Sequence, residues 1–144
     1  AEEFGEGQVV VGPIVSSLMD AARSARAAMS GLRAVRAWPE SPRTIAAERL
    51  LPERALAGDG HARRALATEL FQPLVAAGGD LVPTLTAYFG NAGSIEATAR
   101  ELFVHANTVR YRLRRVAEVT GYSPTDARDA YALRLSLTLG RLLT

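Results

Sequence analysis

The sequence contains no cysteine, no lysine and no long apolar run. Without cysteine there can be no disulfide, thiol nucleophile or cysteine-ligated metal, and this composition is common in cytoplasmic proteins. The apolar runs are a few residues long, far short of the ~20 residues that span a membrane, and no secretory signal opens the chain. We therefore expect a cytoplasmic protein without a membrane partner. Because the chain begins with Ala1 rather than methionine, we also expect a fragment of a longer protein.

Net charge is small as well: it is only +2, which by itself does not indicate a nucleic-acid partner. All 17 basic residues are arginine, as a GC-rich coding bias would produce, so only their clustering is informative. The two histidines, His61 and His105, stand far apart and form no metal-ligand pattern. Ser94 and the Ser16–Ser17 pair lack the surroundings of a catalytic nucleophile. The sequence therefore predicts no enzyme, no metal site and no cofactor.

The N-terminal segment has the pattern of a strand followed by one long helix. Residues 8–11 are β-prone and are stopped by the turn signal Gly12–Pro13. Apolar residues then recur at steps of three and four over residues 15–36, which predicts an amphipathic helix. The apolar stripe of this helix consists of Leu18, Ala22, Ala25, Met29 and Leu32. A strand and a single helix cannot bury both their faces, so residues 1–45 are expected to be the tail and linker of an upstream α/β domain.

Residues 46–144 are expected to form a helical domain that capping residues divide. Asp59 and Asp80 each precede an apolar periodic stretch and are therefore predicted N-caps. Pro73 predicts a kink or break immediately before it, inside the helix that Asp59 begins. Residues 44–50 fit either a short strand or a loop.

Residues 94–120 have the pattern of a helix-turn-helix. Ser94 is a predicted N-cap, and the small Ala99 would let a second helix cross the first closely. Val104 provides an apolar anchor in a turn of a few residues. The second helix, residues 106–120, is then the one that a helix-turn-helix presents to DNA.

Either His105 or Asn107 is expected to cap this second helix. On a helical wheel its core stripe consists of Val109, Leu113, Val116 and Thr120. From Val104 to Ala117 there are four arginines and no acid.

The outward side of this helix has the chemistry that DNA requires. Arginine can neutralise phosphates and can also bond bidentately to guanine, while Asn, Thr and Tyr can reach base edges or phosphate oxygens. We expect Arg112 and Arg115 on phosphates, and the other residues on bases or the adjacent backbone, with His105 either a cap or a DNA contact. The predicted DNA-binding residues are His105, Asn107, Thr108, Arg110, Tyr111, Arg112, Arg114 and Arg115.

Residues 94–116 resemble the C-terminal helix-turn-helix of the PucR family of bacterial transcription regulators. The stretch VHANTVRYRLRRV, residues 104–116, and the following Thr120–Gly121 are close to the signature of that family. More distantly, the segment is similar to the helix-turn-helix of Fis-type nucleoid proteins. The resemblance extends upstream through residues 50–59 and 84–88 to actinobacterial members.

The resemblance implies a mainly α fold, with a Fis-like helix-turn-helix in a helical bundle. It also implies that the strand and helix before residue 45 are the remnant of a degenerate nucleotide-cyclase-like domain. The expected partner is double-stranded operator DNA, bound by a homodimer or higher homo-oligomer. Some actinobacterial relatives regulate fatty-acid or mycolic-acid biosynthesis, which implies an effector such as an acyl-CoA bound outside this segment.

The alternative is an effector-sensing or oligomerising helical module with no direct DNA contact. It is based on the last predicted helix, which begins at a Ser123–Pro124 cap and runs to about Leu142. Bulky side chains cover more than one face of this helix, which makes it either a core helix between several others or a dimer seam. These residues are Tyr131, Leu133, Leu135, Leu137, Leu139, Leu142 and Leu143.

Overall fold

The computed structural model describes residues 5–143 and divides into two compact units, one ending at Arg63 and the other beginning at Arg64. The protein is mainly α-helical, as predicted. Its elements are β1 (Val9–Val11), α1 (Leu18–Ala34), β2 (Thr44–Ala46), α2 (Leu51–Leu56), α3 (Gly60–Ala65), α4 (Gln72–Ala77), α5 (Leu81–Gly90), α6 (Ile95–Glu101), α7 (Ala106–Thr120) and α8 (Ala127–Leu143), with 3₁₀ turns at Val35–Ala37 and Ala47–Leu50 and a π-helical segment at Leu66–Phe71.

In the first unit, β1 and β2 form a parallel pair connected through α1. Parallel strands need a crossover connection, which a helix commonly supplies. The segment 44–50, which fits either a strand or a loop by sequence, is β2 followed by a 3₁₀ turn. The residues that pack together beside this sheet are Val10, Val35, Trp38, Ile45 and Leu50.

The buried face of α1 differs from the one that the sequence predicts. Leu18 and Met29 belong to the predicted apolar stripe, but they are 93% and 61% exposed. A Cβ atom on Gly31 would come within 2.8 Å of Val10 Cγ1, so the helix approaches the strand closely. The predicted stripe is wrong because close approach, not hydrophobicity, selects the buried face. That face carries small residues: Ala27, Ser30, Gly31 and Ala34.

Asp59 caps α3, as predicted, and also stabilises the turn before it. One carboxylate oxygen accepts hydrogen bonds from the backbone N–H groups of His61 at 2.9 Å and Ala62 at 3.2 Å. The other pairs with the buried Arg54 at 2.9 Å. Burial tends to raise the pKa of Asp59, but hydrogen bonds from Ser30, Arg54 and Ala62 and the charge of Arg54 lower that pKa to about 2.

The break predicted before Pro73 is a π-helical segment, Leu66–Phe71, which leads directly into α4. Proline has no N–H, and its ring crowds the carbonyl of the preceding turn. A π-helical turn is one of the ways in which a helix accommodates such a disruption.

α8 is a core helix of the second unit. It packs along the π-helical segment; Leu133 and Leu137 are buried, and Gly140 lies against the ring of Phe71. Leu142, near the end of the helix, is exposed. Of the two interpretations that the sequence leaves open, these contacts favour a core helix, and a dimer seam stays a prediction.

The predicted cap of α8 at Ser123 is wrong. α8 begins at Ala127, and the Asp126 carboxylate accepts a hydrogen bond from the backbone N–H of Asp129 at 2.8 Å. Asp129 in turn accepts a hydrogen bond from the backbone N–H of Ser123 at 3.0 Å. Asp126 therefore takes the capping position, and Ser123 and Pro124 belong to the turn between α7 and α8.

Candidate nucleic-acid interface

α6 and α7 form the predicted helix-turn-helix, and a side chain caps each helix. Ser94 Oγ accepts a hydrogen bond from the N–H of Ala97 at 3.2 Å, while Ala99 is buried. His105 Nδ1 accepts a hydrogen bond from the N–H of Asn107 at 3.1 Å. The cap of α7 is therefore His105, which decides between the two predicted residues.

The turn between the two helices closes α6 with a Schellman motif. The N–H of Val104 donates to the carbonyl of Ala99 at 3.0 Å, and that of Phe103 donates to the carbonyl of Arg100 at 3.3 Å. This motif holds Phe103 at a φ of +53°, in the left-handed region that glycine usually occupies. The Phe103 side chain is 96% exposed. Sequence reasoning did not single out this residue, because only the backbone conformation makes it unusual.

α7 buries the stripe that the helical wheel predicts. Val109, Leu113 and Val116 are buried on the side that faces the rest of the second unit, and Gly121 ends the helix with a φ of +75°. The exposed side is thereby determined too. The predicted DNA-binding residues that the structure leaves exposed are His105, Asn107, Arg110, Tyr111, Arg114 and Arg115, while Thr108 is half-buried.

Two of these arginines form weak ion pairs on the surface. Arg110 donates to Asn107 at 3.0 Å and lies 3.6 Å from a carboxylate oxygen of Glu96. Arg115 pairs with Glu118 at 2.9 Å. The arginine side chains are 49% and 50% exposed, and exposed pairs of this kind contribute only ~0–1 kcal/mol. Both guanidinium groups can therefore exchange these carboxylates for phosphates at little cost.

Arg112 has a different environment from the other arginines of α7. Its side chain is only 17% exposed, and it donates to Asp80 at 2.9 Å and to the buried hydroxyl of Thr84 at 3.1 Å. The predicted phosphate contact of Arg112 stays a prediction, and the guanidinium already connects α7 to α5.

The same geometry corrects the predicted role of Asp80. This residue has a φ of +56° and its side chain does not cap α5. Its carboxylate accepts from Arg112 instead. The prediction failed because the partner lies far away in sequence, beyond the range of a capping rule.

A groove of about 560 Å³ runs beside the exposed side of α7. Leu113, Pro124 and Ile95 contribute apolar surface to it, and Arg110 and Arg114 line it with positive charge. The turn between α7 and α8 therefore extends the surface that α7 presents.

The comparisons with known proteins concern this same region of the chain. The family described as the PucR C-terminal helix-turn-helix domain matches residues 81–139. An uncharacterized protein of Mycobacterium tuberculosis is 52% identical over 139 residues, which is 96% of this chain and 34% of that protein. The purine catabolism regulatory protein of Bacillus subtilis is 41% identical over 64 residues, 44% of this chain and 12% of that protein.

A solved structure resembles nearly the whole chain. The crystal structure of a regulator of polyketide synthase expression from Bifidobacterium adolescentis matches with a TM-score of 0.89 and 39% sequence identity, over 96% of this chain and 55% of that one. The chain spans 34% of the length of its mycobacterial relatives. Within residues 5–143, no helix combines the length and apolar character that a membrane crossing requires.

Proposed function

Because residues 81–139 belong to the PucR C-terminal helix-turn-helix family of DNA-binding transcription regulators, we propose that this chain reads operator DNA by placing α7 in the major groove. The observation that carries the proposal is the division of α7 into two sides. Val109, Leu113 and Val116 are buried, and the opposite side exposes arginines on a stretch without acids. A helix with this distribution fits the width and the charge of the major groove.

The side chains near the start of α7 would contact base edges or the backbone beside them. This group consists of Asn107, Thr108, Arg110, Tyr111 and Arg114. Arg115 would contact phosphate, and His105 would keep the first turn of α7 in place near the backbone. Arg112 would contribute by holding α7 against α5, with any phosphate contact secondary to that role.

Binding to duplex DNA tests the proposal directly. The chain is used to select duplexes from a random-sequence library, and the Kd for a selected duplex is measured by fluorescence anisotropy across a salt series. We expect log Kd to rise linearly with log salt, as counterion release requires. Arg114→Ala should weaken binding about fivefold or more. Arg141→Ala, which removes the same charge from α8, is the matched control and should leave Kd within about twofold.

If no duplex is retained in a salt-dependent manner, the proposal is overturned. The alternative, a helical module that senses an effector or oligomerises without DNA contact, would then be favoured. Equal losses for the two arginine variants would indicate a nonspecific charge effect rather than reading by α7.

We also propose that residues 1–45 are the end of an upstream, cyclase-like regulatory domain, with 46–144 forming the DNA-binding domain. A parallel β1–α1–β2 unit supports this, because parallel sheets are ordinarily larger and covered on both faces. The exposed apolar side of α1 supports it as well. Binding as a homodimer to two half-sites, and an effector such as an acyl-CoA outside this segment, complete the proposal.

A further inference from the structure

Phe103 occupies a position that is unfavourable for its residue type. Its φ of +53° belongs to the left-handed region, in which a side chain with a Cβ atom is strained. Its ring is 96% exposed, so burial within the described residues provides no compensation. Both the backbone and the side chain would be more stable with another residue here.

The same motif elsewhere in the chain shows what this position normally requires. Gly58 takes it at the end of α2, where Asp59 N–H donates to the Arg54 carbonyl at 2.9 Å. Ala92 takes it at the end of α5, with a φ of +52°. Glycine avoids the strain and alanine limits it, whereas phenylalanine adds a large apolar side chain in water. A local rule that is broken without compensation inside the fold points to a partner outside it.

The position of Phe103 indicates which partner this is. It precedes His105, the cap of α7, by two residues, and the first residues of a recognition helix are those that approach base edges. Asn107 and Arg110 lie just beyond it on α7, and the segment from Val104 to Ala117 contains no acid that would repel phosphate. The ring therefore adjoins the surface that faces DNA in the proposed function.

We propose that Phe103 contacts the 5-methyl group of a thymine in the major groove and selects thymine at one position of the operator. Methyl contact is the part of the major-groove pattern that an apolar side chain can read. The inference rests on the proposed function, because it requires α7 to enter that groove. It adds a specificity-determining residue from the turn to those on the helix.

Two variants separate the contact from the stability of the turn. Phe103→Gly and Phe103→Asn both tolerate the left-handed conformation, so the Tm of each should equal or exceed that of the parent chain. The Kd for the selected duplex should rise about fivefold or more in both. Ala92→Gly relieves the same conformation in another turn and is the matched control, for which Kd should not change.

The thymine is identified by replacing each thymine of the selected duplex in turn with deoxyuridine, which lacks only the methyl group. The parent chain should lose affinity at one position, and Phe103→Asn should show no further loss there. An unchanged Kd in both Phe103 variants would overturn this inference while leaving the proposed function intact. Equal deoxyuridine losses in the parent and the variant would overturn the thymine assignment. Failure of the parent chain to bind any duplex would overturn the proposed function itself.

Discussion

Arg112 donates a hydrogen bond of 2.9 Å to Asp80, and the same guanidinium donates to Thr84 at 3.1 Å. Through these bonds the middle of α7 is connected to the first turn of α5. Asp80 is 67% exposed, whereas the hydroxyl of Thr84 is buried, so the two bonds differ in strength. The bond to the buried hydroxyl should contribute more, because its loss leaves a polar group unsatisfied away from water.

Arg112→Ala should therefore destabilise the protein by about 1–3 kcal/mol, the cost of leaving Thr84 without its partner. Asp80→Ala should cost less than about 1 kcal/mol, as an exposed ion pair does. Urea denaturation measures both changes from the midpoint and the slope. Equal losses in the two variants would mean that the ion pair, not Thr84, makes the larger contribution.

Arg110 and Arg115 should affect DNA binding differently. Arg110→Ala removes a proposed base contact, so it should cost about 1–3 kcal/mol on the selected duplex and relax preference at one base pair. Arg115→Ala removes a proposed phosphate contact and should weaken binding to all duplexes alike, lowering the salt slope by about 1. Anisotropy titrations on the selected duplex and on single-base variants provide both quantities. A base preference lost with Arg115, and kept with Arg110, would reverse the two assignments.

Gly140 should be intolerant of a side chain. A Cβ atom there would overlap the ring of Phe71, so Gly140→Ala should destabilise the protein by about 1–3 kcal/mol despite the better helix propensity of alanine. Gly90→Ala, at the end of α5, meets open space and should be neutral or stabilising by about 0.4–1 kcal/mol. Thermal unfolding of the two variants should shift Tm in opposite directions or leave Gly90→Ala unchanged. A stable Gly140→Ala would show that α8 can move away from the π-helical segment.

The candidate site could be predicted well on α7 because its signal is local. Val109, Leu113 and Val116 recur with helical spacing, and their large side chains determine which face is buried. The caps Ser94 and His105 follow from side-chain chemistry a few residues away. These elements need no information from the rest of the chain.

The errors came from features that depend on distant contacts or on backbone conformation. In α1 the close approach of Gly31 to Val10 selects a face of small residues and leaves Leu18 in solvent. Asp80 is drawn to Arg112 rather than to its own helix. Phe103 has an ordinary identity in sequence and becomes informative only once its φ is known. Side-chain periodicity contains none of this information.

The stability of the first unit should depend on pH through Asp59. The pKa of Asp59 is about 2 in the folded chain against 3.8 for the free side chain, so the folded state favours the carboxylate. The resulting stabilisation is fully present above pH ~4 and is lost as the pH falls toward ~2, where the folded carboxylate also becomes protonated. Because the site is partly screened by solvent, we expect the loss to be about 1–2 kcal/mol. The Asp59→Asn chain has no group to titrate here, so its stability should be lower at neutral pH, and the difference from the parent should narrow below pH ~4. Urea denaturation of both chains across this range measures that difference, and two curves that stay parallel down to pH ~2 would show that Asp59 does not contribute to acid unfolding.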